Sequence, residues 1–180
     1  MASIIIIGDG PAGLSAALFL AKNGQSVTVF GQDETPMHYA MLYNYLGIPE
    51  ITGSDFQKVA RGQVEGVGTT LKAEAVTSAE QSGGGFSVTT DNGTYNSDYL
   101  IIAEGKGLKI AESMGLSQTE QGVEVDHNYR TGVAKLYAIG RSVRKTRSQA
   151  IISAGTGAVA ALDILATEQG KDFVDYDSVS

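Results

Sequence analysis

The chain has 180 residues and a formal net charge of −7 at pH 7, with an isoelectric point near 4.7, which argues against general nucleic-acid binding. It contains no cysteine. A disulfide scaffold, a thiolate metal site, a redox-active cysteine pair and a cysteine nucleophile are therefore excluded within these residues.

Hydrophobic residues at 42% and charged residues at 18% fall in the range of a soluble globular domain. The 23 glycines against 3 prolines point to tight turns and close backbone approaches. His38 and His127 stand far apart with no ligand spacing, so no metal site is expected. Ile4–Ile7 is too short for a signal peptide and lacks a basic leader. No apolar run is expected to approach the roughly 18 residues of a membrane span. The expected location is the cytoplasm, with no membrane or nucleic-acid partner.

In chain order, Ser3–Ile7 is a continuous aliphatic run, the pattern of a parallel strand buried on both faces. Leu14–Lys22 has helical periodicity and ends at Asn23-Gly24, a C-cap signal. Val27–Phe30 is a second strand, completing a βαβ unit. Thr35–Pro49 is irregular and rich in Tyr and Met. Gly53-Ser54-Asp55 caps a helix over about Asp55–Glu65. Thr70–Ser78 reads as one strand. Phe86–Thr90 and Thr94–Ser97 flank Asp91-Asn92-Gly93, a hairpin signal. Three short strands thus interrupt the alternation, as a small antiparallel meander would. Tyr99–Ala103 returns to the buried-strand pattern. Ala111–Met114 forms a short helix, and Val123–Asp126 and Leu136–Ile139 are further strands. A long helix over about Ser148–Glu168 carries one face of small residues, read as close packing on the sheet. The fold class is α/β: a Rossmann-like domain with a parallel sheet and an antiparallel meander, a single unit over residues 1–180.

Gly8-x-Gly10-x-x-Gly13 sits between a strand and a helix of one βαβ unit, the setting of a dinucleotide loop. Gly8 permits the tight turn, Gly10 lets backbone approach a pyrophosphate, and Gly13 lets helix pack on strand. Pro11 suits the first helical turn, and the helix N-terminus favours phosphate. Asp9 puts a carboxylate near that place unless it points away. Asp33, after the second strand, is the candidate ribose acid or an acid of a solvated loop.

Several segments resemble bacterial-type thioredoxin reductases in their order along the chain. These are Gly8–Gly13, Asn44–Gly47, Asp91–Tyr95, Tyr99–Gly105, Leu136–Gly140 and Gln149–Gly157. The resemblance spans Ser3 to about Gly170 and implies the FAD domain of that pyridine nucleotide-disulfide oxidoreductase family. The inserted NAD(P)H-binding domain and its redox cysteine pair are lacking, so thioredoxin reduction by that family's mechanism is not expected. The resemblance implies that Gly8, Gly10, Pro11, Ala12 and Gly13 form a pyrophosphate loop. Asp33 would meet the adenosine ribose, and Asn44 would lie beside the flavin. Ala103 and Gly105 match a strand end in which Glu104 replaces a threonine. Gly140 matches the glycine of a Gly-Asp pair whose aspartate meets the ribityl chain, and Arg141 replaces that aspartate. Gln149 and Ala150 match the pair that meets the flavin ring.

Arginine only donates hydrogen bonds, so Arg141 would reach the pyrophosphate instead, or the ligand is not FAD. Arg141, Arg144, Lys145 and Arg147 are an anion clamp, a docking patch or a solvated loop. The Met37–Tyr45 segment covers the flavin or packs on the core. The expected function is an FAD-dependent oxidoreductase fed by a redox partner protein or a diffusible reductant. The alternative is a non-catalytic FAD or adenine-dinucleotide sensing module. A homodimer is expected by analogy, and no catalytic residue is assigned.

Overall fold

The computed structural model describes residues 1–179. Strand β1 (Ser3–Ile7) runs into helix α1 (Pro11–Lys22), which returns to β2 (Ser26–Phe30). A short hairpin of β3 (Met41–Leu42) and β4 (Ile51–Thr52) precedes α2 (Gly53–Gly66), and β5 (Thr70–Lys72) follows. The chain then leaves for a meander of β6 (Val76–Ser82), β7 (Gly85–Thr90) and β8 (Thr94–Ser97), and re-enters the centre through β9 (Tyr99–Ile102). Helix α3 (Lys109–Ser113), a hairpin of β10 (Gln118–Thr119) and β11 (Gly122–Val123), β12 (Leu136–Ala138) and helix α4 (Ala150–Gln169) complete it.

The central sheet has the order β12-β9-β1-β2-β5, and every pairing in it is parallel. The continuous aliphatic run of β1 is explained by what covers each face. Ile4 and Ile6 pack with Leu14, Leu20, Ala160 and Ile164 of α1 and α4. Ile5 and Ile7 pack with Phe86 and Val88 of the meander and Ile110 of α3. Side chains alternate across a strand, so a strand covered on both sides must be apolar at every position. Burying each such side chain contributes about 1.5–3 kcal/mol. Helices, parallel sheet and meander form three layers.

Five expectations are corrected. Thr70–Ser78 is two strands in different sheets: β5 pairs with β2, and β6 pairs with β7. Between them Glu74 turns in to accept from Thr90 Oγ1 at 2.8 Å and Tyr95 OH at 3.0 Å. The cap of α2 is Thr52, whose side chain accepts from Asp55 N–H at 3.0 Å. Val123–Asp126 pairs only at Gly122–Val123. Beyond it Asp126 Oδ1 accepts from Asn128 and Arg130 N–H at 2.9 Å each, an Asx turn that ends the extended chain.

The small face of α4 packs on α1 and not on the sheet alone: a Cβ on Gly157 would lie 2.1 Å from Ala12 O, while Ala160 and Ala161 share a buried cluster with Ile4 and Ile6 of β1. Finally, α4 is long and apolar enough to cross a membrane by length and composition, so an apolar run of that size does occur. Of this helix Ala160, Ala161 and Ile164 are fully buried in the core, whereas Ile151, Ile152 and Val159 are exposed.

Candidate functional site

Three parallel strands, β1, β9 and β12, end side by side. Ala103 N–H donates to Ile7 O at 2.8 Å and Ile139 N–H to Ile102 O at 2.9 Å. The chain winds from β1 toward β2 and β5, while β9 and β12 lie on the other side. Ligands of open parallel sheets bind outside the carboxyl ends of the strands at such a switch point. There a cleft opens in two connected parts, of about 150 Å³ and 450 Å³. Pro11, Thr35, Pro36, Arg141 and Ser153 line both.

The glycine loop shows which glycines serve the chain itself. A Cβ on Gly8 would lie 2.2 Å from Ala103 O, and one on Gly13 would lie 2.0 Å from Gly8 O. Both are glycine because backbone is already there. Gly10 differs. A Cβ there would meet nothing nearer than Thr35 Oγ1 at 3.7 Å, and its φ of −74° suits any residue. The chain does not need glycine at this place. The space it leaves belongs to the cleft.

The wide part of the cleft is lined by cations and by no acid, in an acidic protein. Helix α1 starts at Gly10 and α4 at Gln149. Neither has a side-chain cap or an acid in its first turn, so their first amides and positive dipole ends face the cleft uncompensated. Arg141 stands between them, with Nε enclosed and without a hydrogen-bond acceptor. Lys106, Lys145 and Arg147 line the wider part. None of these four cations makes an ion pair among the described residues. Two acids of the narrow part already have protein partners. Asp9 pairs with Arg61 of α2. Glu104 accepts from Ile110 and Ala111 N–H at 3.0 Å each, capping α3, which gives the Glu104 replacement a structural role.

The expected site residues divide clearly. Gly8, Gly10, Pro11, Ala12, Ala103, Gly105 and Arg141 line the narrow part. Gln149 and Ala150 line the wide part. Asn44 lines neither, but its Nδ2 donates to Gln149 Oε1 at 3.2 Å. Gly13 and Gly140 lie beneath the floor. A Cβ on Gly140 would lie 2.7 Å from Ala12 Cβ, and its φ is +64°. Asp33 lines an adjoining hollow with His38 and Tyr39, while its neighbour Glu34 lines the cleft. In the Met37–Tyr45 segment, Met37 is buried and lines the wide part, whereas Tyr39 and Tyr43 are exposed. Sequence reasoning missed Glu34, Thr35, Pro36, Lys106 and Ser153 as lining residues. The loop after β2 could have been read as one, because every carboxyl-end loop of such a sheet borders the crevice.

Known proteins bear on this site. The family model described as pyridine nucleotide-disulphide oxidoreductase matches residues 2–106 and 46–161. A ferredoxin–NADP reductase of Lactococcus lactis subsp. lactis is 31% identical over 125 residues, 65% of this chain and 39% of that protein. Another, of Levilactobacillus brevis, is 30% identical over 162 residues, 86% of this chain and 46% of that protein. The chain thus spans less than half the length of these curated relatives. Among solved structures, the atypical thioredoxin reductase TRi of Desulfovibrio vulgaris Hildenborough superposes with a TM-score of 0.87 at 17% identity. That match covers 94% of this chain and 99% of that one. A thioredoxin reductase of Gloeobacter violaceus gives 0.86 at 17% identity, covering 99% of each. At that identity the likeness establishes the fold.

Proposed function

We propose, since the chain belongs to the pyridine nucleotide-disulphide oxidoreductase family, whose members are FAD-binding flavoproteins, that it holds FAD in this cleft and works as an oxidoreductase. The observation that carries the reading is Gly10, a glycine the fold does not require, beside an uncapped helix start and an arginine without an acceptor. A pyrophosphate needs backbone close at hand, free amides and a cation. The Ala12 amide and Arg141 would hold it. Gln149, fastened by Asn44, and the first amides of α4 would hold the ring end. When bound, FAD supplies reversible electron transfer, and the protein supplies binding and electrostatics.

The 180 residues carry no cysteine, and β9 is followed by a five-residue helix and a two-stranded hairpin where the family's second nucleotide domain would be inserted. On this reading the chain is one FAD-binding unit. Its electrons come from a partner protein or a diffusible reductant, and it does not reduce thioredoxin through a dithiol of its own.

The test is a visible spectrum of the purified protein, mass identification of what it releases on denaturation, and anaerobic addition of NAD(P)H and then dithionite. Yellow protein that releases FAD and is bleached by a reductant is the expected result. Protein that stays colourless after saturation with FAD overturns it. FAD that is retained but exchanges electrons with no donor or acceptor favours the sensing module.

A further inference from the structure

The Asp9 carboxylate lies where a side chain on residue 31 would begin. A Cβ on Gly31 would stand 2.2 Å from Asp9 Cγ and 2.5 Å from Oδ1. Gly31 follows directly on β2. In a dinucleotide fold, an acid roughly 20 residues beyond the glycine loop, at the end of this strand, accepts a hydrogen bond from the ribose 2′-hydroxyl. Here that position has no side chain, and a carboxylate reaches the same place from inside the glycine loop.

Asp9 is held on several sides. Its Oδ2 accepts from Asp33 N–H at 2.9 Å and pairs with Arg61 Nη1. Its backbone oxygen accepts from Gln57 Nε2, a side chain that is fully buried. The Asp9 side chain is 7% exposed and the residue lines the narrow part of the cleft. Both side-chain bonds of Asp9 fall on Oδ2, which leaves the other oxygen, Oδ1, to a ligand.

We propose that Asp9 is the ribose acceptor: Oδ1 takes the hydrogen bond of the adenosine 2′-hydroxyl. Arg61 and Gln57 of α2 are positioning residues that hold the carboxylate in place. Asp33 contributes its backbone N–H rather than its side chain. A carboxylate in that place also disfavours an adenosine bearing a 2′-phosphate, because like charges would meet. The inference rests on the cleft holding FAD.

The experiment compares the dissociation constants of FAD and of FAD built on 2′-deoxyadenosine. It uses the wild type, Asp9→Gly and the double variant Asp9→Gly/Gly31→Asp. Gly31 has no left-handed φ, and the three atoms nearest a side chain there all belong to Asp9. Glycine is chosen because even the Asp9 Cβ would stand 2.5 Å from the new one. The wild type is expected to prefer FAD by about tenfold, the range of a hydrogen bond to a charged group. The preference falls to about one in Asp9→Gly and returns in the double variant. A merely structural role for Asp9 lowers both affinities together and leaves their ratio unchanged, which overturns the proposal, as does a wild-type ratio near one. That second measurement stands even where the variant fails to fold. Wild type that binds neither compound overturns the cofactor reading itself.

Discussion

The carbonyl oxygen of Ala12 lies 2.1 Å from where a Cβ on Gly157 would stand, and Ala16 N lies 2.9 Å from it. Helices α1 and α4 are in backbone contact there, and this contact sets both helix starts at the cleft. Gly157→Val is expected to destabilise by about 3 kcal/mol or to prevent folding, since neither helix can withdraw without opening the core. Gly155, on the same helix, meets nothing within 4 Å. Gly155→Ala is expected to stabilise by about 0.5–1 kcal/mol. Denaturant unfolding of the two variants checks both signs.

Gly10→Val should separate binding from folding. Its side chain enters the cleft rather than the protein, so the melting temperature of the cofactor-free protein stays within about 2 °C, as for a surface change. FAD retention is lost. Gly8→Val, at φ +111° and against Ala103 O, is expected to lose the fold itself. Thermal melts paired with absorbance spectra distinguish them.

Arg141→Ala should weaken FAD by about tenfold or more, the size of one charge-assisted hydrogen bond. It should also flatten the salt dependence of binding, because one cation fewer faces the phosphates. Titration at two ionic strengths checks it. Tighter FAD retention by Arg141→Asp would instead mean that the arginine is not a ligand.

Acid should loosen the meander through Glu74. Its carboxyl is held below the ordinary value of 4.5 by the Thr90 hydroxyl first, helped by Tyr95 and Lys72. A lowered native value adds stability that is fully present above the unfolded value and is lost as pH falls through the folded one. Thermal stability is therefore expected to drop below about pH 4.5, more steeply in the wild type than in Glu74→Gln. Melting curves from pH 3 to pH 7, compared between the two proteins, measure the difference.

How much of this was legible in the residues follows from range. Ser3–Ile7, the glycine loop, α1 and the hairpin around Asn92 signal their structure within a few positions, through side-chain period, φ demands and helix punctuation. The break between Lys72 and Val76 had no such signal, because what ends β5 is Glu74 reaching Thr90 and Tyr95 on other strands. The small face of α4 was visible, but its contact with α1 beside the sheet was not: small residues fit equally well against a sheet or a helix.

The candidate site divides along the same line. The order of residue types alone determined a parallel α/β core and a glycine loop between the first strand and its helix, since strand burial and glycine conformations are local properties. Only the tertiary structure decided that Asp9 stands over Gly31, that Glu104 turns to α3, and that Arg141 is left without an acceptor. Each of these depends on side chains from loops far apart in sequence. Their distances are set by strand order and helix packing, which no local pattern encodes.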